Sequence, residues 1–458
     1  MSSRHTKKPG FLPLLDAFWL WVESPETAMQ VAALSIFHAD EPAGTLIRRM
    51  VDDFRSRPAT AGPFNAVISA GRLPLLKRRA IVEDVDIDYH FRHSALPAPG
   101  GQRELAILVS RLHTTPLDRR RPMWELHVIE GLEGNRIAVY FKTHHSLMDG
   151  VAGVRLMAAT YSADPDAPLA PPVWANTPPA WVPQTPVLPS RRTVTVRRLW
   201  QCRYAVLKLL RADGSPETPL VGPFQAPHSP LNVPIGPQRR IFTATVALDR
   251  VKSLAAATET SVNDIVLEMC ASALRRYLIG LGELPDKPLI AMVPVDVRRS
   301  GTDGNAVSII LANLATHQAD PRTRLATIAA STRAGKQHIK TVPPESMSAY
   351  TTLAMSPQFV KQLVPGAASL RPMFNLVISN VPGPKQPMYA AGARLENFFP
   401  MSLLFKNEAL NITVLSHGGQ LDFGFTACRT ALPRVQDVAH HTVQALDELE
   451  SAVCSERS

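Results

Sequence analysis

Proline is distributed unevenly along this chain of 458 residues. Residues 163–237 hold 16 of its 41 prolines, and the other 25 are spread over 383 positions. Proline fixes its own φ and lacks an N–H donor, so this stretch cannot run far as regular helix or central strand. We therefore expect an extended connection over 163–240, between an N-terminal domain over 1–162 and a C-terminal domain over 241–458.

Both flanking regions have the patterns of folded α/β domains. Hydrophobic residues make up 45% of the chain and charged residues 19%, which is enough apolar material for a real core. Alternating or short apolar runs predict strands at 81–89, 136–142, 241–248, 289–293, 376–379, 410–415 and 421–427. Apolar spacing of three and four predicts helices at 104–113, 151–161, 262–278 and 322–336. The predicted fold class is therefore mixed α/β.

Most of the net charge of +10 lies in one segment. Arg191 to Arg211 contains seven basic residues and no acidic one. A nucleic-acid binder usually spreads its cations over a patch interleaved with aromatic residues, so we expect no nucleic-acid partner. On a helical wheel the segment has a broad apolar arc, which fits either an interfacial helix at an anionic membrane or a helix that covers a domain.

Neither the cysteines nor the apolar runs indicate export or membrane insertion. The four cysteines are far apart, which favours reduced thiols over a disulfide framework. The apolar run from Phe11 to Val22 has 12 residues and contains Asp16, whereas a membrane-spanning helix needs about 20. We therefore expect a cytoplasmic protein that can lie on a membrane without crossing it.

The most informative motif is the run His144-His145-Ser146-Leu147-Met148-Asp149-Gly150. It follows a predicted strand and precedes a predicted helix, a usual place for chemistry. Histidine is the natural general base near neutral pH. Asp149 could orient the imidazole or pair with an arginine, and Gly150 allows a tight turn. Adjacent residues of an extended chain point in opposite directions, so we expect no metal at the two histidines.

This motif and its surroundings resemble the bacterial wax ester synthase/diacylglycerol acyltransferase family of the CoA-dependent acyltransferase superfamily. The similarity runs from about residue 11 to residue 450. It is carried by segments at 14–18, 23–25, 88–93, 116–119, 122–125, 129–131, 262–264, 379–384 and 421–425. The chain departs from the family at Pro122-Met123-Trp124, where Pro-Leu-Trp is frequent, but this exchange conserves volume.

The resemblance implies both a fold and a reaction. The fold would be two pseudo-symmetric domains similar to chloramphenicol acetyltransferase, with the active site between them. The reaction would be direct transfer of a fatty acyl group from acyl-CoA to a long-chain alcohol or to diacylglycerol. By resemblance His145 is the general base and His144 its supporting neighbour, while Asp149 has a structural role and pairs with Arg298.

The remaining motif residues have open roles. Pro122, Met123 and Trp124 fit either packing or contact with the acyl chain. Asn263 and Asn380 are amides that could polarise the thioester oxygen in the transition state. Asp264 follows Ser261 at a predicted helix start, where it is also an ordinary capping residue.

The predicted partners follow from the same resemblance. Acyl-CoA is a substrate, and no cofactor is expected. The acceptor is a fatty alcohol or diacylglycerol, and the protein is expected at the inner face of the plasma membrane and on lipid inclusions. Two alternatives remain, namely a condensation-type transferase acting on carrier-bound groups and a non-catalytic homologue that binds lipid droplets.

Overall fold

The structure is a computed structural model that describes residues 12, 14–60, 62–70, 77–175, 196–296, 307–343, 346–364, 366 and 370–454. The described helices are α1 (Leu14–Val22), α2 (Ala43–Ser56), α3 (Ile87–His90), α4 (Gln102–Thr114), α5 (Gly150–Ala158), α6 (Val196–Leu210), α7 (Leu248–Ala257), α8 (Val262–Leu281), α9 (Pro321–Lys340), α10 (Met347–Leu363) and α11 (Val435–Cys454). The described strands are β1 (Gln30–His38), β2 (Ala66–Ala70), β3 (Lys77–Ile81), β4 (Phe91–Ala95), β5 (Trp124–Leu132), β6 (Arg136–His144), β7 (Arg239–Ala247), β8 (Ile290–Asp296), β9 (Val307–Asn313), β10 (Leu376–Pro382), β11 (Tyr389–Ala390), β12 (Ala393–Met401), β13 (Leu410–His417) and β14 (Gln420–Cys428). The mixed α/β class predicted from the sequence is confirmed.

The chain divides into two compact units. The first takes Met1–Val182 and Gln386–Leu403, and the second takes Pro183–Lys385 and Leu404–Ser458. These units differ from the domains expected at 1–162 and 241–458, because β12 pairs antiparallel with β1 in the sheet of the first unit. Strand pairing over such a distance along the chain leaves no local sequence signal.

The first unit is built on a six-stranded mixed sheet in the order β11-β12-β1-β6-β5-β4. β4 and β5 are parallel, and the other neighbours are antiparallel. β6 is an inner strand, and eight of its nine residues are buried, which explains its nearly continuous apolar run. Gln30 at the start of β1 lies opposite His144 at the end of β6. The histidine motif therefore lies where β1 begins and β6 ends.

The second unit has its own six-stranded mixed sheet in the order β7-β14-β13-β10-β8-β9. Helix α8 packs in its core against α9 and α11. The side chain of Ser261 accepts the N–H of Asp264 at the start of α8, and Gly282 ends the helix at φ 72°. Glycine suits that position because left-handed backbone strains any residue with a Cβ.

One predicted strand is wrong. The alternating segment 81–89 was expected to be extended, but β3 ends at Ile81 and a single helical turn, α3, starts at Ile87. The reason is a local hydrogen bond, because the Asp86 carboxylate accepts the N–H of Tyr89 at 3.2 Å. Capping of this kind competes with sheet pairing and overrides the alternation.

Candidate active site

The two histidines lie where β6 ends and α5 begins. His144 is the last residue of β6, and Asp149 is the residue that caps α5. The N–H of His144 donates to the carbonyl of Met123 at 3.0 Å, and the N–H of His145 donates to that of Met29 at 2.8 Å. Because Met123 and Met29 precede the two strands that flank β6, the main chain fixes the motif from both sides.

The ring of His145 packs on an aromatic side chain of α1. Its centroid lies 4.1 Å from that of Trp19, with 32° between the planes. Burial lowers the pKa of His145 to about 4, although the Asp149 carboxylate and the residue's own carbonyl act in the opposite direction. The imidazole is therefore neutral at pH 7, which is the state a general base needs.

His144 is fully buried and held by its own turn. Its Nδ1 accepts the N–H of Ser146 at 3.1 Å and lies 2.7 Å from the Ser146 hydroxyl. Because Nδ1 accepts, the hydrogen-bond network assigns the proton to Nε2. Nε2 lies 3.4 Å from Oε1 of Glu23, without the alignment of a full hydrogen bond.

Asp149 acts first as a helix cap. Its Oδ1 accepts the N–H of Ala152 at 2.7 Å and so fixes the start of α5. Its charge also favours the protonated form of His145. The expected partner, Arg298, lies outside the described residues, so the pair stays a prediction.

Gly150 follows the capping residue Asp149. It is the first residue of α5, and it is not among the glycines with positive φ. Among the described atoms, nothing lies within 4 Å of the place where its Cβ would stand. The role of Gly150 in a turn next to the histidines therefore stays a prediction.

The carboxyl group of Asp16, in α1, interacts electrostatically with that of Asp149. Asp16 Oδ2 is 3.6 Å from a guanidinium nitrogen of Arg79 in β3. Burial raises the pKa of Asp16 to about 6; Arg79 opposes this shift, and the negative charge of Asp149 adds to it. This carboxyl group was not among the predicted site residues.

The Pro122-Met123-Trp124 segment binds the main chain of the histidine motif. The carbonyl of Met123 accepts the N–H of His144, while the indole N–H of Trp124 donates to the carbonyl of Phe64 at 2.9 Å. Trp124 is only 1% exposed and stacks on Trp174 with ring centroids 5.1 Å apart. Its contacts are those of a packing residue.

The motif residues of the second unit have contacts inside that unit. Asp264 accepts from the N–H and the hydroxyl of Ser261 and from the hydroxyl of Thr332, the last at 2.6 Å. It therefore closes a capping box and also joins α8 to α9. Asn263 and Asn380 are both partly exposed, in α8 and β10, and their role at the thioester oxygen stays a prediction.

Sequence reasoning gave no role to three residues that contact the histidines or support those contacts. Trp19, Glu23 and Arg119 come from α1 and from the segments that follow α1 and α4. The last two lie in segments that carry the family resemblance, which was the only signal available for them. Among the residues that the structure describes, no group of three His, Cys, Asp or Glu side chains could hold a metal ion.

The fold defines the general class of the protein. The first condensation domain of the calcium-dependent antibiotic synthetase covers 98% of this chain with a TM-score of 0.60. Its sequence identity is 14%, so the similarity concerns the fold alone. The chain thus has the fold of condensation domains.

Closer comparisons give the family. Residues 12–266 match the wax ester synthase/diacylglycerol acyltransferase catalytic domain, and residues 303–450 match the WS/DGAT C-terminal domain. The chain therefore belongs to the wax ester synthase/diacylglycerol acyltransferase family and is an acyltransferase.

Named relatives align over nearly the full length. A Mycobacterium tuberculosis protein called "Probable diacyglycerol O-acyltransferase tgs2" is 42% identical over 96% of this chain and 98% of its own length. The O-acyltransferase WSD of Acinetobacter baylyi is 36% identical over 96% and 97%. The solved wax ester synthase/diacylglycerol acyltransferase from Marinobacter aquaeolei VT8 is 34% identical, covers 97% of this chain and 100% of its own, and has a TM-score of 0.77.

Proposed function

We propose that this acyltransferase moves a fatty acyl group from acyl-CoA directly to the hydroxyl of a long-chain alcohol or of diacylglycerol, with His145 as the general base. The observation that carries the proposal is the neutral imidazole of His145, packed on Trp19 beside the end of β6. The name of the Marinobacter aquaeolei relative, wax ester synthase/diacylglycerol acyltransferase, supports the two classes of acceptor.

In the proposed reaction the acyl group passes from CoA to the acceptor in a single step. The acceptor hydroxyl gives its proton to His145 while its oxygen attacks the thioester carbonyl carbon. Nδ1 of His145 is buried, so Nε2 is the nitrogen we assign to this proton. When the C–S bond breaks, the CoA thiolate leaves and receives the proton from the imidazolium, giving free CoA and an ester.

The other motif residues support this step. His144 keeps the turn in place through Ser146, and Asp149 fixes α5 and stabilises the imidazolium electrostatically. The pairing of Asp149 with Arg298 remains part of the proposal. Asn263 or Asn380 would donate to the oxygen that becomes negative in the transition state.

Product analysis tests the proposal. Radiolabelled acyl-CoA is offered in parallel to hexadecanol and to diacylglycerol, with the wild type, His145→Ala and a matched control, His441→Ala. His441 is a partly exposed histidine of α11 whose Nδ1 contacts only Gln444 among the described hydrogen-bond partners. We expect His145→Ala to lose about 10²–10⁴-fold in both reactions and the control to lose nothing. Near-normal turnover by folded His145→Ala would contradict the proposal.

We also propose that the second unit brings the enzyme to the inner face of the plasma membrane and to lipid inclusions. Three side chains of α6, Tyr204, Leu207 and Leu210, are 69%, 45% and 59% exposed. Arg203 lies 4.2 Å from the Tyr204 ring, and Lys208 is on the same helix. In the part of the chain that the structure describes, no helix has the length and apolar character needed to cross a bilayer.

The neighbouring helix extends this surface. α10 packs against α6 and exposes Val360 and Leu363, at 52% and 49%. Exposed apolar side chains beside cations are typical of a surface that lies on anionic lipid. A helix that merely covered a domain would turn its large apolar residues inward.

Vesicle binding tests this surface. Replacing Arg203, Lys208 and Arg211 by Gln should weaken binding to vesicles with anionic lipid about 10²-fold at low salt, at about 1 kcal/mol for each cation. The matched control replaces three exposed cations elsewhere, Arg48, Arg103 and Lys252, by Gln. Equal loss in both triple variants, or unchanged binding in the first, would contradict the assignment.

A further inference from the structure

The carboxylate of Glu23 joins the residues that surround both histidines. It lies directly after α1, and its Oε1 accepts the N–H of Met29 at 3.1 Å. The same oxygen faces Nε2 of His144 at 3.4 Å. Because the carbonyl of Met29 accepts the N–H of His145, one carboxylate faces the ring of the first histidine and binds the N–H of the residue whose carbonyl holds the second.

Arg119 holds this carboxylate from its other side. Its Nε donates to Oε2 of Glu23 at 2.6 Å, and its Nη2 donates to the carbonyl of Leu20 at 3.0 Å. Arg119 therefore ties Glu23 to the last turn of α1, the helix that places Trp19 on His145. Two charged side chains that lie 96 residues apart in sequence thus connect α1, β1 and the motif.

Glu23 is ionised throughout the working pH range. Burial opposes its ionisation, but the contacts with His144, Arg119 and the N–H of Met29 outweigh it and lower the pKa of Glu23 to about 2. A permanent anion facing Nε2 favours the proton on that nitrogen and leaves Nδ1 free to accept from Ser146. The anion therefore selects both the tautomer and the orientation of the His144 ring.

We propose that Glu23, held by Arg119, is a positioning residue that fixes both histidines of the motif for acyl transfer. The inference rests on the proposed function of His145. Catalytic groups must be held to within about 0.5 Å of their productive geometry, and a displacement of about 1 Å can cost 10²-fold in rate. We therefore expect Glu23 variants to lose kcat while the KM for acyl-CoA stays nearly constant.

Two substitutions separate the contacts of Glu23. Glu23→Gln keeps an oxygen for the N–H of Met29 but removes the charge, and we expect about a 10-fold loss of kcat. Glu23→Ala also removes the oxygen that accepts the N–H of Met29, and we expect about a 10²-fold loss. The matched control is Glu26→Gln, an exposed acid in the same turn that accepts from Ser24. The control should keep wild-type kcat and KM.

A double variant tests whether the charge acts through His144. If it does, Glu23→Gln adds no further loss of kcat to His144→Ala, because the contact that it breaks is already gone. Losses that multiply would overturn this route. Unchanged kcat in Glu23→Gln, or a rise of KM alone, would overturn the positioning role.

Arg119→Gln provides a second line of evidence if a Glu23 variant fails to fold. Its side chain is half exposed, and the exchange should release Glu23 and lower kcat by several fold, whereas Arg120→Gln next to it should not. His145→Ala is measured in the same series. Activity in that variant would overturn the proposed function, whereas its loss together with wild-type kcat in Glu23→Gln and Arg119→Gln would overturn only this inference.

Discussion

Glu125 in the first unit and Glu408 in the second are both buried, but their neighbours differ. Glu125 lies 3.0 Å from Nζ of Lys142 and 3.4 Å from Arg92. Burial raises its pKa, yet His127 and these two cations outweigh that effect and lower the pKa to about 2. Glu408 instead accepts the backbone N–H groups of Val377 and Phe405, and burial raises its pKa to about 8.

The difference indicates two ways to bury a carboxyl group. The first unit keeps Glu23 and Glu125 ionised beside cations in and around the strands that hold the motif, whereas the second keeps Glu408 neutral in a hydrogen-bonded pocket. Glu125 stabilises the fold above its ordinary pKa of 4.5, and that stability is lost as the pH falls toward 2. The contribution of Glu408 is present below 4.5 and is lost as the pH rises through 8.

The largest expected effect concerns Glu408→Gln. Glutamine stays neutral at every pH and keeps one of the two acceptor oxygens, so the variant should lose one hydrogen bond but escape the alkaline loss of stability. Between pH 5 and pH 9 the wild type should lose on the order of 4 kcal/mol more than the variant, since each pH unit between the two pKa values is worth about 1.4 kcal/mol. Calorimetric unfolding at pH 5 and pH 9 measures the difference, with the exposed Glu283→Gln as control. If wild type and variant lose equal stability at alkaline pH, Glu408 is not the group whose ionisation destabilises the fold.

Lys142→Met should be nearly as severe, but in the first unit. The Lys142 side chain is fully buried and donates to the carbonyls of Leu112 and Thr115, both at 2.9 Å. Its removal leaves the charge of Glu125 poorly compensated, which typically costs about 3 kcal/mol of unfolding free energy. Lys252→Met, at an exposed pair with Asp249, should cost less than about 0.5 kcal/mol. Similar losses of unfolding free energy in the two variants would show that Lys142 does not compensate the buried charge of Glu125.

The pH dependence of activity tests the electrostatics around His145. Because its pKa is lowered to about 4, the base is deprotonated well below neutral pH. At pH 5.5 we expect kcat/KM near its plateau, whereas a histidine with the usual pKa of 6.5 would reduce it about tenfold. A pH profile from 4.5 to 8 measures this. An acid limb centred between pH 6 and 7 would contradict the neutral state of the His145 imidazole.

The smallest effect compares two aspartates that cap helices. Asp264→Ala removes the capping box of α8 and should cost about 1 kcal/mol of stability without changing kcat of the folded enzyme. Asp149→Ala removes the N-cap of α5 and should also lower kcat, because Asp149 acts on His145. The melting temperature and kcat of both variants separate the effect on stability from the effect on catalysis. A tenfold loss of kcat in Asp264→Ala would give it a role at the site.

Much of the fold follows from local patterns. The apolar runs predicted β6, β13 and β14, and the spacing of apolar residues predicted α8 and α9. In 191–211, the segment without proline, α6 forms where a helix was expected. The segment 81–89 failed because one carboxylate, Asp86, formed a local bond that a period-two pattern does not reveal.

The site was predictable only in part. The spacing of His144, His145 and Asp149 indicated general-base chemistry and a supporting acid, and the resemblance indicated the family that the comparisons confirm. Neither signal gave roles to Glu23, Arg119 or Trp19. These residues reach the histidines through side-chain contacts between segments that are distant in sequence, and such contacts have no period or spacing.

The sequence by itself therefore determined the α/β class and the histidine motif, because propensity, capping and periodicity act over a few neighbouring residues. Only the tertiary structure decided that β12 joins the sheet of the first unit, that Trp19 packs on His145 and that Glu23 faces His144. Those outcomes depend on which distant segments bury each other's surfaces and satisfy each other's charges. Such pairing is a property of the whole folded chain.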